Sequence, residues 1–166
     1  ELVKDVIESL AVGSEWNPRV ELREDLGQDL RVMGDPAELR QVLWNLMINA
    51  IQSMPEGGTL SVTARPDGDN GEARAVRVEI GDTGPGIDPV HIEKIWEPFY
   101  TTREKGSGLG LAIVRRIVES HGGAVEVQSE AMRGSRFRVR LPRHVPEEPA
   151  GQGERIEHEA AAAAGR

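Results

Sequence analysis

Between Asp35 and Met54 apolar residues occupy most of a helical wheel, and the polar ones fall into one narrow stripe. Glu38, Gln41, Asn45, Asn49 and Gln52 share that stripe, while Leu39, Val42, Leu43, Leu46, Met47, Ala50 and Ile51 cover the rest. The pattern predicts a helix packed on most sides. Asp35 is placed to cap it, Pro36 suits the first helical position, and Glu38 completes a capping-box pattern. Pro55-Glu-Gly-Gly58 ends it. Two amides one turn apart on such a helix need partners. Either they bond neighbouring backbone, or they face a polar ligand.

Other patterns set the remaining elements. Residues 1–12 read as a short amphipathic helix with Val3, Val6, Ile7 and Leu10 on one face. Alternation predicts strands at Arg19–Arg23, Thr59–Ala64, Ala75–Ile80, Ala124–Ser129 and Ser135–Leu141, with another at Leu30–Met33. Arg65–Arg74 is a hairpin-like connection. Leu109–His121 reads as a helix stopped by Gly122-Gly123. Residues 81–107 are rich in Gly and Pro, with one helical signal around Pro89–Trp96. Loops that long are usually functional or mobile. From about Val145 the Pro/Glu/Gly/Ala-rich composition has no apolar face, so 145–166 is expected to be a disordered or weakly helical tail.

Composition narrows the chemistry. The 166 residues suffice for one domain with a real core. A net charge of -8 argues against nucleic acid as the main partner, though not against a phosphorylated ligand. With no cysteine, thiolate catalysis, disulfides and cysteine-held metals are excluded. No apolar run reaches the roughly 20 residues that span a bilayer. The chain starts at Glu1 without a signal peptide, and a fragment of a longer protein is expected.

Two glycine-rich motifs carry the chemistry. Asp82-Thr-Gly84-Pro-Gly86-Ile87 directly follows a strand. It reads as an ordinary turn, or as one that lets backbone approach a ligand while the Asp accepts from an exocyclic amine such as that of adenine. Lys105-Gly106-Ser107-Gly108-Leu109-Gly110 feeds a helix. It reads as a flexible linker or as an anion site at a helix N-terminus, with Arg103 and Lys105 adding positive charge. The spacing is neither that of a dinucleotide fingerprint nor that of a P-loop. Asn45 and Asn49 read as structural amides or as metal and phosphate contacts. The order of the parts favours a Mg–nucleotide, which needs an oxygen ligand for the metal, an acceptor for the base and N–H groups for the phosphates.

In that order the motifs resemble those of sensor histidine kinases. Leu39–Gln52 is similar to the N box, Asp82–Ile87 to the first glycine box, Trp96–Arg103 to the F box, Lys105–Val114 to the second glycine box, and Gly134–Pro142 to the closing motif. The wording of Asn49–Gly58 and Pro98–Gly106 looks most like the nitrogen-regulation and C4-dicarboxylate sensor subgroup. The resemblance implies a GHKL-type ATP-binding α/β fold, an α+β two-layer sandwich whose mixed β-sheet is backed by helices. It implies ATP and Mg²⁺ as cofactors. Asn49 matches the metal ligand, and Asn45 a position ordering phosphates and metal-bound water; both count as catalytic. Asp82 matches the adenine reader, and Gly84, Gly86 and Ile87 the turn admitting the base. Tyr100, Thr101, Thr102, Arg103, Lys105, Gly106, Ser107, Gly108, Leu109, Gly110 and Ser135 complete the expected cofactor contacts. Asp88–Ser107 matches a lid over ATP, with Phe99 at a partner interface.

Departures accompany the match. Gln52 and Ser53 stand where many members carry a basic and an aromatic residue, which leaves phosphate neutralisation to Arg103 and Lys105. Tyr100 replaces a common Phe. None of His91, His121, His144 and His158 lies in a phosphoacceptor pattern, and all four read as solvated surface imidazoles. The resemblance thus implies residues 1–12 as a linker from a missing dimerisation domain, 13–144 as the ATP-binding domain, and transfer to a histidine on that other domain. The expected partners are the dimerisation domain, a downstream response regulator and a second copy in a full-length homodimer. The fragment itself is expected in the cytoplasm without membrane contact, and the full-length protein in reach of the inner membrane. An anti-sigma-factor-type serine kinase and a non-catalytic nucleotide-sensing or scaffold module are the alternatives. Asn45 speaks against the former, because an amide is no general base.

Overall fold

The computed structural model describes residues 1–68, 73–103 and 106–144. The expectations for Lys105 and for the tail at 145–166 therefore lie outside the described residues. In chain order the elements are α1 (Leu2–Ala11), β1 (Val20–Leu26), α2 (Pro36–Gln52), β2 (Gly58–Asp67), β3 (Ala75–Asp82), α3 (Gly110–Ser120), β4 (Ala124–Glu130) and β5 (Gly134–Pro142). Two short 3-10 turns, Pro89–His91 and Lys94–Trp96, stand where one helical signal was read. Asp88 caps the first by accepting from the Val90 N–H at 2.9 Å.

The strands form one five-stranded sheet in the order β1-β2-β3-β5-β4. β1 pairs parallel to β2, with α2 as the crossover between them, and the other pairs are antiparallel. This is the expected mixed-sheet, two-layer α/β fold. Alternate residues of β2, β3 and β5 (Leu60, Val62, Val78, Ile80, Phe137, Val139) point into one core with the apolar side of α2 and with Val114, Ile117 and Val118 of α3. The opposite face of the sheet is charged. There Glu79 lies 2.9 Å from the Arg138 Nε and 3.5 Å from the Arg77 Nε. The helix α1 also enters the core, with Val6 and Leu10 fully buried.

Asp35 caps α2 as expected, accepting from the Ala37 N–H at 2.7 Å and the Glu38 N–H at 3.2 Å. The reciprocal half of the capping box is replaced. The Asp35 N–H donates to His121 Nε2 at 3.1 Å rather than to Glu38. His121 is thus no solvated imidazole. Its side chain is 9% exposed, Nδ1 carries the proton toward the Ile117 carbonyl at 2.8 Å, and Nε2 stays free to accept. The ring clips the end of α3 to the start of α2. Leu30–Met33 forms no strand. Only Val32 bridges, to Arg143 just past the end of β5.

Candidate nucleotide-binding site

The long segment after β3 closes one side of a cleft of about 1080 Å³ between α2, the turn at Thr83–Asp88 and the start of α3. Its outer part is fastened to the body of the domain. Trp96 packs edge-on against the buried Phe137 ring, with centroids 6.0 Å apart. The Phe99 N–H donates to the Gly108 carbonyl at 2.9 Å. Gly108 has φ +67°, and a Cβ there would lie 2.4 Å from the Phe99 carbonyl carbon, so a side chain is excluded at this approach. The Tyr100 hydroxyl bonds His91 Nδ1. His91 is therefore another departure from the expected solvated imidazoles, since a hydroxyl from the same segment holds its ring beside the cleft.

The polar stripe of α2 forms one wall. Asn45 and Asn49 are half-buried there. The Asn45 Nδ2 donates to the Gly110 carbonyl at 3.4 Å, which ties α2 to α3. Among the described residues the Asn49 side-chain amide has no hydrogen-bond partner. Its oxygen is thus available to a ligand. A magnesium ion takes few protein ligands and completes its shell with water and phosphate oxygens. A lone amide oxygen on a cleft wall fits that requirement. No cluster of three or more His, Asp or Glu side chains suited to a metal exists among the described residues.

Asp82 ends β3 inside the cleft and is 8% exposed. The Gly84 N–H donates to its Oδ1 at 2.9 Å. Burial pushes its carboxyl above the ordinary range; the Gly84 N–H, the Ser53 hydroxyl, the Ser135 N–H and the charge of Arg103 pull it back. The Ser53 hydroxyl also has the Ala50 carbonyl as a partner at 2.7 Å. Gly86 has φ +76°, and a Cβ there would lie 2.3 Å from the Glu130 carbonyl oxygen. Only glycine lets the turn pass that close to the β4–β5 hairpin.

The third wall is the start of α3, where among the described residues no side chain caps the first N–H groups. Those N–H groups and the positive end of the helix dipole suit an anion. Gly106, Ser107, Gly108 and Gly110 line the cleft, as do Gly84, Ile87, Tyr100, Thr101, Thr102 and Ser135. Leu109 departs from expectation. It does not line the cleft; its N–H donates to the Ser107 hydroxyl oxygen at 3.3 Å and its carbonyl accepts from the Ile113 N–H. Arg103 reaches back across the cleft to Gln52 and to the Asn49 carbonyl. Ile48, Ile95, Leu111 and Met132 supply apolar surface that sequence reading did not assign to the site. For Ile48 and Leu111 the helical period gave a signal, since each neighbours a stripe or motif residue. For Met132, at the tip of a distant hairpin, no local signal existed.

A cleft of mixed polar and apolar lining on a sheet-and-helix sandwich, with a carboxylate at one end and an uncapped helix start at the other, defines a nucleotide-binding domain. Residues 34–145 match the family model described as histidine kinase-, DNA gyrase B-, and HSP90-like ATPase. The chain belongs to that family. It is 43% identical over 111 residues to the sensor histidine kinase ZraS of Escherichia coli O157:H7, covering 67% of this chain and 23% of ZraS. The catalytic domain of the histidine kinase ThkA superposes with a TM-score of 0.72 at 32% identity, covering 85% of this chain and 90% of that domain. ShkA, solved at full length with AMPPNP, gives a TM-score of 0.71 at 33% identity, covering 87% of this chain and 30% of ShkA. The chain thus spans about a quarter of the length of the curated relative, and its likeness runs through the ATPase domain of histidine kinases.

Proposed function

We propose that this domain binds Mg-ATP and donates the γ-phosphoryl group to a histidine on a separate dimerisation domain, as one step of two-component signalling. The observation that carries the reading is the convergence in one cleft of a free Asn49 amide, the buried Asp82 carboxylate and the uncapped start of α3. Asp82 accepts from the adenine amine, and the turn at Gly84 and Gly86 admits the base. The N–H groups of Gly110 and its neighbours take phosphate oxygens, and Arg103 adds charge. Asn49 holds the metal, which when bound neutralises phosphate charge. Asn45, as an amide, cannot take a proton from water, which suits transfer to an imidazole over hydrolysis. Positioning and charge neutralisation then do most of the catalytic work.

The exposed Phe99, with φ +66°, is suited to meet the acceptor domain. Residues 1–12 serve as the connection to that domain, and Val145 onward as a tail. The likeness to sensor kinases supports a cytoplasmic domain of a homodimeric, membrane-linked protein that feeds a response regulator. No described helix is long and apolar enough to cross a membrane. The wording of Asn49–Gly58 favours the nitrogen-regulation and C4-dicarboxylate subgroup. The relatives lend no support to the serine-kinase or scaffold alternatives.

The test mixes this chain with the isolated helix-pair domain of its own full-length protein and labelled Mg-ATP. Acid-labile, base-stable label should appear on the added domain. Label stable to acid, or rapid ATP turnover without acceptor, would overturn the proposal.

A further inference from the structure

α2 has no basic residue in its last turn, and its final carbonyls lie on the cleft wall at the negative end of the helix dipole. Left bare, that end would repel a polyphosphate. Arg103 covers it from outside the helix. One Nη donates to Gln52 Oε1 at 3.0 Å and the other to the Asn49 carbonyl at 3.0 Å. Two bonds from one planar fork fix the orientation of the guanidinium as well as its place. Its backbone is held too, since the Arg103 N–H donates to the Thr101 hydroxyl at 3.1 Å. The half-buried Arg103 lines the same cleft as Asp82. Gln52 is itself exposed, and packing does not explain it. Its place in the polar stripe does.

We propose that Gln52 is a positioning residue that holds the Arg103 guanidinium over the C-terminal end of α2, so that a cation from the lid compensates the polyphosphate charge that α2 does not. This rests on the ATP-binding reading above. Two of the guanidinium N–H groups bind α2, and among the described residues the remaining ones bond no other group, which leaves them for phosphate oxygens. The geometry also separates this role from that of a plug. An arginine that merely fills the empty cleft must leave when nucleotide enters, and freeing it would raise affinity. An arginine held for phosphate lowers affinity when freed.

Calorimetry on the whole 166-residue chain, with Mg-ATP and with adenosine, tests the assignment in wild type, Gln52→Leu, Arg103→Leu and the double variant. Arg103→Leu should weaken Mg-ATP about tenfold or more, and Gln52→Leu about three- to tenfold, with adenosine affinity kept in both. The double variant should bind no more weakly than Arg103→Leu, because Gln52 acts only through the arginine. Additive losses, equal loss of adenosine, or tighter Mg-ATP binding by Gln52→Leu would each overturn the proposal while leaving ATP binding intact. A wild-type chain that binds neither ligand overturns the ATP reading and this assignment together.

Discussion

Replacing Asp82 by Asn separates the two consequences of a buried charge. The carboxyl is 8% exposed, with the Gly84 N–H at 2.9 Å on Oδ1. In Asp82→Asn the side-chain oxygen keeps the Gly84 bond, and an NH₂ group turns toward the base. The adenine amine then meets a donor in place of a charged acceptor. A hydrogen bond to a charged group contributes about 1.5–3 kcal/mol, so ATP, ADP and adenosine should all weaken about ten- to 150-fold. Inosine, with a carbonyl in place of the amine, should lose much less. Stability should move the other way. Removing an ionised group held out of water should gain on the order of 1 kcal/mol, or about 2–4 °C in Tm.

The pH dependence gives the sign of that gain. Burial raises the Asp82 carboxyl in the folded state, so between its ordinary and raised values the folded chain binds more protons than the unfolded one. Stability therefore falls with rising pH across that window. The cost is fully present above the raised value and vanishes below the ordinary carboxylate range. The advantage of Asp82→Asn should thus shrink on acidification. Calorimetric titration with the three ligands and thermal melts from neutral to acid pH check both arms. Wild-type adenosine affinity in the variant would refute the base-reading role, and a melting point below wild type at neutral pH would refute the burial argument.

Asn49→Ala should lose most of the magnesium-dependent part of ATP affinity, while adenosine binding with chelator present stays unchanged; titration with and without Mg²⁺ measures this. Gly86→Ala forces φ +76° on a residue with a Cβ and a 2.3 Å clash with the Glu130 carbonyl. It should cost about 1–3 kcal/mol in urea unfolding and weaken adenosine as well. Phe137→Ala removes a ring that is 1% exposed and supports Trp96; a loss of about 3–5 kcal/mol is expected, again by urea unfolding. The chain alone should neither turn over ATP appreciably nor label itself. With an acceptor domain added, Phe99→Ala should slow transfer more than it weakens binding, as rates at saturating ATP would show.

Elements ruled by local rules were legible in the sequence. The start of α2 follows from Asp35 and Pro36, whose capping and fixed φ act within one turn. The strands β2 to β5 follow from alternation, since a sheet with one buried face imposes a period of two. The fold class and the two glycine turns were legible too, because only glycine tolerates approaches such as that of Gly86 to Glu130. Asn45, Asn49 and Asp82 stood out because polar groups on apolar elements need partners.

Tertiary structure decided what depends on residues far apart in the chain. Leu30–Met33 is reduced to a single bridge, from Val32 to Arg143 past the end of β5. The Asp35 N–H found His121, 86 positions away, before it could use Glu38. Arg103, read as a phosphate contact, also closes on Gln52 and Asn49 because its segment folds back over the end of α2. No periodicity encodes such meetings. They follow from the path of the chain, which makes an arginine, two amides and a distant histidine neighbours once the sheet and helices have packed.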